Sequence, residues 1–188
     1  MYGIKVLEEE HDNILRFTTF IHGAIGEVLE GNRDIIKEVP AMIDFVRNYA
    51  DAHHHGKEEL ILFNYMLEDL GPVAEKVVRQ GMLVEHDQAR HIISSLEENY
   101  VAYEQDPSTA KLVDVVGLLY NYAFLLEAHA SRENTVVYPF AEKNLSAERL
   151  EAVNKETEDF EEEHRERREY YLRELERLEK TLKHGKNH

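Results

Sequence analysis

The sequence contains no cysteine and no tryptophan, and it has only 4 prolines and 9 glycines among 188 residues. Without cysteine, the chain cannot form disulfides, thiol nucleophiles, thiolate-bound iron–sulfur clusters or zinc–thiolate sites. The scarcity of proline and glycine leaves room for long helices, because these two residues are the strongest helix breakers. The length is that of one domain, or of one domain with an appendage.

Basic residues are also scarce, since 22 lysines and arginines stand against 38 aspartates and glutamates and the net charge is −16. This charge argues against binding to nucleic acid or to an anionic membrane surface, because both need a basic face. The N-terminus lacks the pattern of a signal peptide, and no stretch approaches the ~18 apolar residues of a membrane span. We therefore expect a soluble cytoplasmic protein with neither a nucleic-acid nor a membrane partner.

Turn-forming residues divide the sequence into segments with helical periodicity. The turn signals are centred on Asn32, Gly71, Pro107 and Leu145. Between them, apolar residues recur every three or four positions, as in Ile14, Phe17 and Ile21, and the later core faces are expected to include Val84 and Phe124. No alternating strand pattern persists. The sequence therefore predicts an all-α protein, in which residues 1–145 form an up-down-up-down four-helix bundle with short connections.

The C-terminal part of the chain, residues 146–188, has many charges and only a thin apolar seam. The seam contains Phe160, Tyr171, Leu175, Leu178 and Leu182. We interpret this part as one additional long helix that packs on the bundle or on a partner such as a second copy of the chain. The alternative is a solvated, partly frayed helix. Residues 183–188, with His184 and His188, are expected to form a mobile tail.

An internal repeat relates the two halves of the predicted bundle at an offset of 75 residues, without a gap. The first two helices and the next two are therefore interpreted as copies of one helical hairpin. The polar members are the most informative, because a bundle core by itself would repeat only apolar residues. The related pairs are Glu10 and Glu85, His11 and His86, Phe45 and Tyr120, Tyr49 and Phe124, His54 and His129, Glu58 and Glu133, and Phe63 and Tyr138.

Four histidines and two glutamates of this repeat form a candidate metal site. In each half, the second histidine and the glutamate are four residues apart, which places both on one face of an α-helix. The residue counts from each histidine to the nearest turn are nearly equal, so all four histidines are expected in one layer of the bundle, within ~3 Å. The candidate ligands are His11, His54, Glu58, His86, His129 and Glu133.

We interpret this layer as a two-metal site, in which each ion takes two imidazoles and both ions share the two carboxylates. Nitrogen and oxygen donors without thiolate suit two iron ions, with manganese or zinc as competitors. This donor set leaves coordination positions open for a small ligand such as O₂, NO or peroxide. The alternative is a metal-free core, in which the buried histidines are hydrogen-bonded to the carboxylates.

The pattern His…His-x-x-x-Glu, which occurs twice, resembles the hemerythrin-like (HHE cation-binding) family. The resemblance rests on the motifs HHGKEE at 54–59 and HASREN at 129–134, together with the trailing apolar residues at 62–63 and 137–139. It covers roughly residues 1 to 143. It implies a four-helix bundle with an oxo- or hydroxo-bridged, non-haem di-iron centre. By this resemblance the four histidines are terminal ligands, and Glu58 and Glu133 bridge the ions.

One departure from the family pattern lies on the third helix. Oxygen-carrying hemerythrins place a further histidine four residues after the ligand on that helix, and this chain has Arg90 there. His91 is about 140° round the helix from His86 and is expected to point away. The predicted set is therefore symmetric, with four histidines and two glutamates, which disfavours reversible oxygen carriage. The resemblance then favours iron-centre repair proteins, nitric-oxide responders and peroxide-reactive di-iron proteins.

Other histidines near the site have two interpretations each. His53 and His55 flank His54 and are expected at the surface or behind the ligands, although a register in which His55 pairs with Glu59 is an alternative. His164 lies on the C-terminal seam. It either approaches the metal layer as a ligand or gate, or packs as a partly exposed residue.

Two further repeated pairs are also open to two interpretations. Glu10 and Glu85 either accept hydrogen bonds from ligand imidazoles or, as the helix geometry favours slightly, are solvated or contact a neighbouring helix. Tyr49 and Tyr120 either shape a ligand pocket or belong to the core.

The pattern supports three hypotheses about function. The first is a di-iron protein that binds, senses or scavenges O₂, NO or related species, or that stores and delivers iron for repair. The second is a di-iron enzyme of the peroxidase, oxidase or nitric-oxide reductase type, which would use the same six ligands. The third is an interaction protein whose metal only holds the fold. The expected partner is a small diatomic or peroxide ligand, and the chain is expected to be a monomer or a homodimer.

Overall fold

The structure of the protein is a computed structural model that describes residues 1–185. Helix accounts for nearly all of these residues, and the described part of the chain contains no strand. The α-helices are α1 (Tyr2–Leu29), α2 (Val39–Phe45), α3 (Phe63–Asp69), α4 (Gly71–Ala74), α5 (Leu83–Gln105), α6 (Thr109–Arg132), α7 (Tyr138–Asn144), α8 (Ala147–Glu163) and α9 (Arg165–Gly185). The prediction of an all-α protein is therefore confirmed.

Several of these helices are joined by helical turns of another type. A 3₁₀ helix, Asp34–Glu38, leads into α2. The π-helical segments are Val46–His55, Glu58–Leu62, Glu75–Met82 and Glu133–Val137. The segments Glu58–Leu62 and Glu133–Val137 are related by the 75-residue repeat, whereas Val46–His55 corresponds to regular α-helix in α6. π-Helical turns are rare and frequently occur at functional sites.

The turns lie where the sequence predicts them. Gly31 and Gly71 have positive φ angles of 100° and 59°, which glycine adopts without the penalty that a Cβ atom brings. The hydroxyl of Ser108 accepts a hydrogen bond from the backbone N–H of Lys111, and it thereby caps the start of α6. Ser146 caps α8 in the same way. Local chemistry therefore accounts for the ends of the long helices.

Buried apolar residues form two clusters, one on each side of a polar layer. The first cluster includes Ile14, Phe17, Phe45, Ala50, Ala89, Leu119 and Leu126. The second includes Leu7, Leu62, Met66, Val78, Met82, Val137 and Tyr138. Along the chain, each candidate histidine falls between a member of one cluster and a member of the other, as His11 does between Leu7 and Ile14. The candidate site therefore lies in the interior, between two apolar regions.

The C-terminal part contains two helices, so the prediction of one continuous helix was wrong. The break lies at His164, where φ is −106° and ψ is 13°. The Nδ1 atom of His164 lies 2.9 Å from the carbonyl oxygen of Phe160, and this contact satisfies a backbone group at the end of α8. Leu175 and Leu178 of α9 have 0% exposure, so the seam packs on the bundle. The helix continues to Gly185, and residues 186–188 of the predicted tail lie outside the described residues.

Helix α9 covers only the first half of the repeat. Tyr171 of α9 packs against Phe45, with ring centroids 6.3 Å apart, and its hydroxyl donates a hydrogen bond to Asp44 at 3.0 Å. In the second half of the repeat, Tyr120 corresponds to Phe45 and Phe124 corresponds to Tyr49, and they are 52% and 61% exposed. The prediction that Phe124 lies in the core was therefore wrong, because the repeat extends over four helices and the covering helix is not repeated.

Val84 is also more exposed than the sequence suggests, at 44%. It lies at the start of α5, on a face that no described helix covers closely, while Ile93 and Leu96 further along α5 are buried as predicted. Helical periodicity identifies an apolar face but does not say which part of that face a neighbouring helix reaches.

One helical stretch, Thr109–Asn144, is apolar and long enough to cross a membrane by length and composition alone. No membrane span was expected from the sequence, because no nearly uninterrupted apolar run reaches that length. The finding is weak, because the core helix of a soluble protein passes the same test. This stretch also contains His129 and Glu133, which are buried at the candidate site.

The packing of α9 can be tested by substitution of Leu178. We expect Leu178→Ala to lower the free energy of unfolding by about 2–5 kcal/mol, because it removes a fully buried side chain from the first apolar cluster. Urea unfolding followed by circular dichroism measures this. The matched control is Leu29→Ala, since Leu29 is 79% exposed and its loss should cost less than about 0.5 kcal/mol. Equal effects of the two variants would contradict the packing of α9 on the bundle.

Candidate metal centre

The six predicted ligands lie together in the interior, and none is more than 2% exposed. They come from separate parts of the chain. Helices α1, α5 and α6 carry His11, His86 and His129 respectively. His54, Glu58 and Glu133 belong to π-helical segments. The residues that the sequence selected are therefore adjacent in space, as the counting of residues to each turn predicts.

The histidines form two pairs, one in each half of the layer. The Nε2 atoms of His11 and His54 are 2.9 Å apart, and those of His86 and His129 are 3.2 Å apart. In both pairs the Nε2 atoms, and not the Nδ1 atoms, face the centre. The first pair comes from the first hairpin and the second pair from the second hairpin, in accordance with the repeat.

The two glutamates lie between the histidine pairs, and each one contacts both pairs. Glu58 Oε2 lies 3.6 Å from Nε2 of His54 and 3.5 Å from Nε2 of His86. Glu133 Oε2 lies 3.1 Å from Nε2 of both His11 and His129. Each carboxylate thus contacts an Nε2 atom of both histidine pairs. A ligand shared by two ions would lie in such a position.

Three carboxylate oxygens in this layer are buried without a donor hydrogen directed at them. They are Oε2 of Glu58 and both Oε atoms of Glu133. Oε2 of Glu133 lies 3.1 Å from Nε2 of His11 and of His129, but those two rings face their outer acceptors through Nδ1. Unpaired buried carboxylate oxygens are costly, because burial removes their hydration and leaves the charge uncompensated. A cation among them would compensate that charge. The donor set therefore fits a metal better than the metal-free alternative, in which these oxygens should accept hydrogen bonds from the histidines.

The two glutamates also affect each other's ionisation. Burial and the facing Glu133 carboxylate raise the pKa of Glu58 well above its usual value. Burial acts in the same direction on Glu133, but His129 and His11 outweigh it and lower the pKa of that carboxyl. Two buried carboxylates in one layer thus repel each other, while the histidines favour the charged form of Glu133. A divalent ion between them would relieve this repulsion.

The histidines are affected by the same carboxylates. Burial by itself lowers the pKa of His129, but Glu133 and Glu85 outweigh it and raise the pKa to about 10. Burial and the neighbouring His11 lower the pKa of His54 to about 3. The two rings therefore have different electrostatic surroundings, although they occupy equivalent positions in the repeat.

Every candidate histidine has an outer partner at its Nδ1 atom. Such partners fix the orientation and the tautomer of a ligand imidazole, and they leave a lone pair on Nε2 that can bind a metal ion. The pairs are His11 with Asn134 at 2.7 Å, His54 with Glu10 at 3.0 Å, His86 with Glu59 at 2.7 Å and His129 with Glu85 at 2.7 Å. All four imidazoles are therefore held in the same sense, with Nε2 toward the centre.

The outer partners follow the 75-residue repeat. Glu10 corresponds to Glu85, and Glu59 corresponds to Asn134. Of the interpretations offered for Glu10 and Glu85, a solvated role is wrong for Glu10, because it is only 3% exposed. The contacts with Nδ1 of His54 and His129 match the alternative, in which these glutamates accept hydrogen bonds from candidate ligand imidazoles. Each carboxylate reaches the histidine of a neighbouring helix and not the histidine beside it in sequence. Its rotation of about 100° from its own histidine is what allows this contact.

His53 and His55 are both buried, at 0% and 2% exposure, so of the two expected positions, at the surface or behind the ligands, the surface position is wrong. Both belong to the π-helical segment Val46–His55, and helices cover them on opposite sides. Nε2 of His53 lies 2.9 Å from Glu10, and the ring of His55 stacks on that of His86. The alternative register is not observed, because Glu59 contacts His86 instead of His55.

Behind the site, Lys57 lies buried between two carboxylates. It is 1% exposed and forms ion pairs with Glu10 and with Glu161 of α8. Nε2 of His53 also lies 3.1 Å from Glu161. Glu10, His53 and Glu161 have the composition of a metal site, but the ammonium group of Lys57 already supplies a cation there. This Lys57 cluster connects α8 to the partner of His54.

Lys57 was not predicted as a residue of the site, although the repeat places a basic residue at this position in both halves. Lys57 corresponds to Arg132, and Arg132 forms an ion pair with Glu85 at 2.7 Å. In each half, a cation three residues after the second histidine therefore holds the glutamate that contacts that histidine. The pattern of basic residues in the repeat was the available signal.

Other predicted residues lie outside the ligand layer. His164 is partly exposed, and its ring centroid is 6.4 Å from that of His53, so it belongs to neither ligand group. His91 is exposed, as expected.

Tyr138 lies inside the site, where its hydroxyl donates a hydrogen bond to Oε1 of Glu58 at 2.6 Å. Its repeat mate, Phe63, has no hydroxyl, so the two glutamates differ in their partners.

A cavity of about 100 Å³ lies beside His55, whose ring stacks on that of His86. Its lining includes Asp51, His55, Arg90 and Tyr122. The hydroxyl of Tyr122 is buried there without a hydrogen-bond partner. This space is large enough for a molecule of a few atoms and too small for a typical organic substrate.

Comparison with known proteins agrees with this geometry. The family model of the hemerythrin HHE cation-binding domain matches residues 2–141. The match covers the two hairpins and all six candidate ligands, and it ends before α8. No curated protein matched the chain.

The Lys57 cluster leads to a prediction about stability. We expect Lys57→Met to lower the free energy of unfolding by about 3–5 kcal/mol, because it leaves the buried carboxylates of Glu10 and Glu161 without their cation. Urea unfolding, with both proteins in the same metal state, measures the difference. Lys155→Met is the control, since Lys155 forms an exposed pair with Asp159 and should matter by less than about 1 kcal/mol. A small effect of Lys57→Met would show that the cluster does not hold α8.

The same cluster leads to a prediction about pH. Burial acts to raise the pKa of Glu161, but His53 and Lys57 outweigh it and lower the pKa from 4.5 to about 2. A lowered pKa means that the carboxylate stabilises the fold above about pH 4.5, and that this contribution disappears as the pH falls toward about 2. The destabilisation by Glu161→Gln should therefore be largest at neutral pH and should shrink on acidification.

Urea unfolding between about pH 7 and about pH 3 measures this change. Glu162→Gln is the control, because Glu162 is its exposed neighbour and pairs only with Arg165 among the described contacts. A destabilisation by Glu161→Gln that is independent of pH would contradict the proposed ion pairing.

Proposed function

Because the chain belongs to the hemerythrin HHE cation-binding family, we propose that its buried histidine–glutamate layer holds two iron ions and binds a small ligand such as O₂, NO or peroxide. The observation that carries the proposal is the set of unpaired carboxylate oxygens on Glu58 and Glu133, between two histidine pairs. Two buried groups of donor atoms support two ions and not one. One group includes His11 and His54, and the other includes His86 and His129.

In this proposal the histidine pairs are divided between the ions. His11 and His54 hold one ion, His86 and His129 hold the other, and Glu58 and Glu133 are shared. Bound iron would supply open coordination positions and electron transfer to a small ligand. The nitrogen and oxygen donors favour iron over softer metals, while manganese and zinc remain the competitors that an analysis of metal content distinguishes.

The surrounding residues have separate roles in this proposal. Glu10, Glu59, Glu85 and Asn134 orient the imidazoles through Nδ1. The apolar clusters on both sides exclude bulk water. The Tyr138 hydroxyl donates a hydrogen bond to Oε1 of Glu58, with 2.6 Å between the two oxygens, and so stabilises the charged form of that carboxylate.

We also infer that the helices that carry the site run up-down-up-down. Each candidate histidine marks the same level between the two apolar clusters, whereas the turns at Gly31, Gly71 and Ser108 lie at alternate ends of the helical segments. Short connections between long neighbouring helices favour this arrangement.

We place the protein in the cytoplasm, which its acidic, highly charged composition supports.

Ligand binding or scavenging is favoured over iron storage and delivery. All six ligands are at most 2% exposed, so release of iron would require the core to open. The cavity of about 100 Å³ beside His55 has room for a diatomic molecule or peroxide. The same dimensions favour a small inorganic ligand over an organic substrate.

The metal content of the protein tests this proposal. We expect about two irons per chain after purification without chelator from iron-supplemented cells, as measured by elemental analysis. His54→Ala and His129→Ala should each remove one ion or both, because each removes one buried ligand of a different pair. His91→Ala is the matched control, since His91 is exposed and its loss should leave the iron content unchanged.

Two zinc or manganese ions, or no metal in repeated preparations, would overturn the assignment of iron. Reactivity then separates the functional hypotheses for the iron-loaded protein. Optical changes that saturate at one equivalent of NO or peroxide per site would support binding or scavenging. Loss of either species well beyond one equivalent would instead indicate an enzyme.

A further inference from the structure

One side of the bundle, formed by the neighbouring helices α1 and α6, exposes large apolar side chains. Val113, Tyr120 and Phe124 of α6 are 63%, 52% and 61% exposed. The ring of His22 on α1 lies edge-on to that of Tyr120, with centroids 5.7 Å apart, so the two helices present one continuous surface. We call this surface the α1–α6 face, and it consists of His22, Gly26, Val113, Gly117, Tyr120 and Phe124.

The exposed residues of α6 have the spacing of a helix-packing stripe. Val113, Gly117, Tyr120 and Phe124 are separated by four, three and four residues, which places them in a line along one side of the helix. The opposite side of α6 is buried in the core. Of the apolar 18-residue window within Thr109–Asn144, only 33% is buried. Helix α6 therefore has two apolar sides, and the bundle covers one of them.

Two glycines on this face leave room for close approach of another helix. A Cβ atom added at Gly26 or at Gly117 would meet no atom of the described chain within 4 Å. Glycine inside a helix is less stable than alanine, so its presence here is unfavourable for the isolated bundle. A helix packed over the face would use the space that the missing side chains leave.

The first half of the repeat shows what covers such a surface. Phe45 corresponds to Tyr120, and it is 0% exposed because Tyr171 of α9 packs against it. The apolar seam of α9 is used entirely on that half, where Leu175 and Leu178 are buried. A cover for the second half would therefore have to come from another molecule.

Charge favours a second copy of this chain as that molecule. The net charge is −16 and 32% of the residues are charged, so two copies repel each other wherever their acidic surfaces meet. The α1–α6 face avoids this repulsion, because the carboxylate beside it, Glu127, is already paired with His22 at 3.0 Å. An anionic membrane is disfavoured by the same net charge.

The two ends of α1 carry opposite charges beside this face. Arg33 lies just beyond the C-terminal end of α1, and Asp12 lies toward its N-terminal end. Both are exposed, and neither belongs to an ion pair among the described residues. They are 11 and 10 residues from His22, on either side of it. Two antiparallel copies of α1 that cross at His22 would therefore bring Arg33 of each copy to Asp12 of the other.

We propose that the α1–α6 face is the interface of a homodimer. The two-fold axis lies in the plane of the interface and crosses the helices at the level of His22 and Tyr120. Each of the two helices then packs antiparallel on its own copy, and Arg33 and Asp12 of opposite copies pair at the ends. This interface is separate from the metal layer and does not depend on it.

The size of the face indicates how stable such a dimer is. The face is two helices wide, about 20 Å, and about 26 Å long from Asp12 to Leu29. Its area is on the order of 500 Å² before the relief of the side chains is counted, against ~800 Å² per partner in a standard interface. We therefore expect a dimer that dissociates on dilution.

Sedimentation velocity of the full-length protein tests the interface. Between about 1 and about 100 µM, the wild type should change from the chain mass of 22.0 kDa to twice that mass. Tyr120→Glu and Phe124→Glu should each raise the dissociation constant of the dimer by at least about thirtyfold, because they remove a central aromatic side chain and bring like charges together.

Val101→Glu is the matched control for these two variants. Val101 is 47% exposed, and it lies on α5 beside Pro40 of α2, on a different side of the bundle. It should leave the dissociation constant unchanged. Circular dichroism verifies that all three variants keep the helical fold of the wild type, as expected because each substituted side chain is exposed.

Charge reversal tests the antiparallel orientation. Arg33→Glu by itself should raise the dissociation constant by about fivefold or more, because it places a carboxylate opposite Asp12. The double variant Arg33→Glu with Asp12→Arg should restore the value of the wild type. A double variant that is no better than Arg33→Glu would contradict this orientation.

The remaining outcomes decide the proposal. A wild type that keeps the mass of one chain up to about 100 µM would overturn the homodimer, even if the face then binds lipid vesicles or another protein. A dimer that tolerates both Tyr120→Glu and Phe124→Glu, or that Val101→Glu weakens equally, would overturn the assignment to this face. Selective dissociation by the two α6 variants would establish it.

Discussion

The structure depends on the burial of two carboxylates and four imidazoles in one layer of an otherwise apolar core. These groups lose their hydration on folding, and burial without compensation is unfavourable. The apolar clusters on either side keep water out. Outer carboxylates, each with a cation behind it, hold three of the imidazoles in place, and the amide of Asn134 holds His11. The arrangement of helices, π-helical turns and ion pairs can be understood as the means of satisfying this single layer.

Much of the fold was predictable, because it depends on local signals. Gly31 and Gly71 mark turns by their backbone preference, Ser108 marks a cap, and the apolar periodicity marks long helices. The break at His164 was not predictable, because the charged sequence on both sides continues the helical pattern. The exposure of Phe124 was not predictable either, since it depends on which half of the bundle α9 covers.

The candidate ligands were predictable because each half of the repeat fixes the other. His53 and His55 illustrate the limit of that reasoning. Rotation along an ideal α-helix places them on either side of His54, but it does not show that α8 and α5 cover both positions. The segment is also π-helical, so the angle per residue differs from that of an α-helix. Whether a side chain is buried depends on its neighbours in space, and a single sequence does not specify those directly.

The repeat also determines how the site depends on protein concentration. Each hairpin alone carries two histidines and one glutamate of the layer, so one hairpin cannot complete the six-residue layer. Two hairpins can do so whether or not a peptide bond joins them. The connection at Leu70 and Gly71 contributes no ligand, but it gives each hairpin a high effective concentration of the other. A site assembled from separate hairpins would come apart on dilution, whereas the joined chain retains it at any concentration.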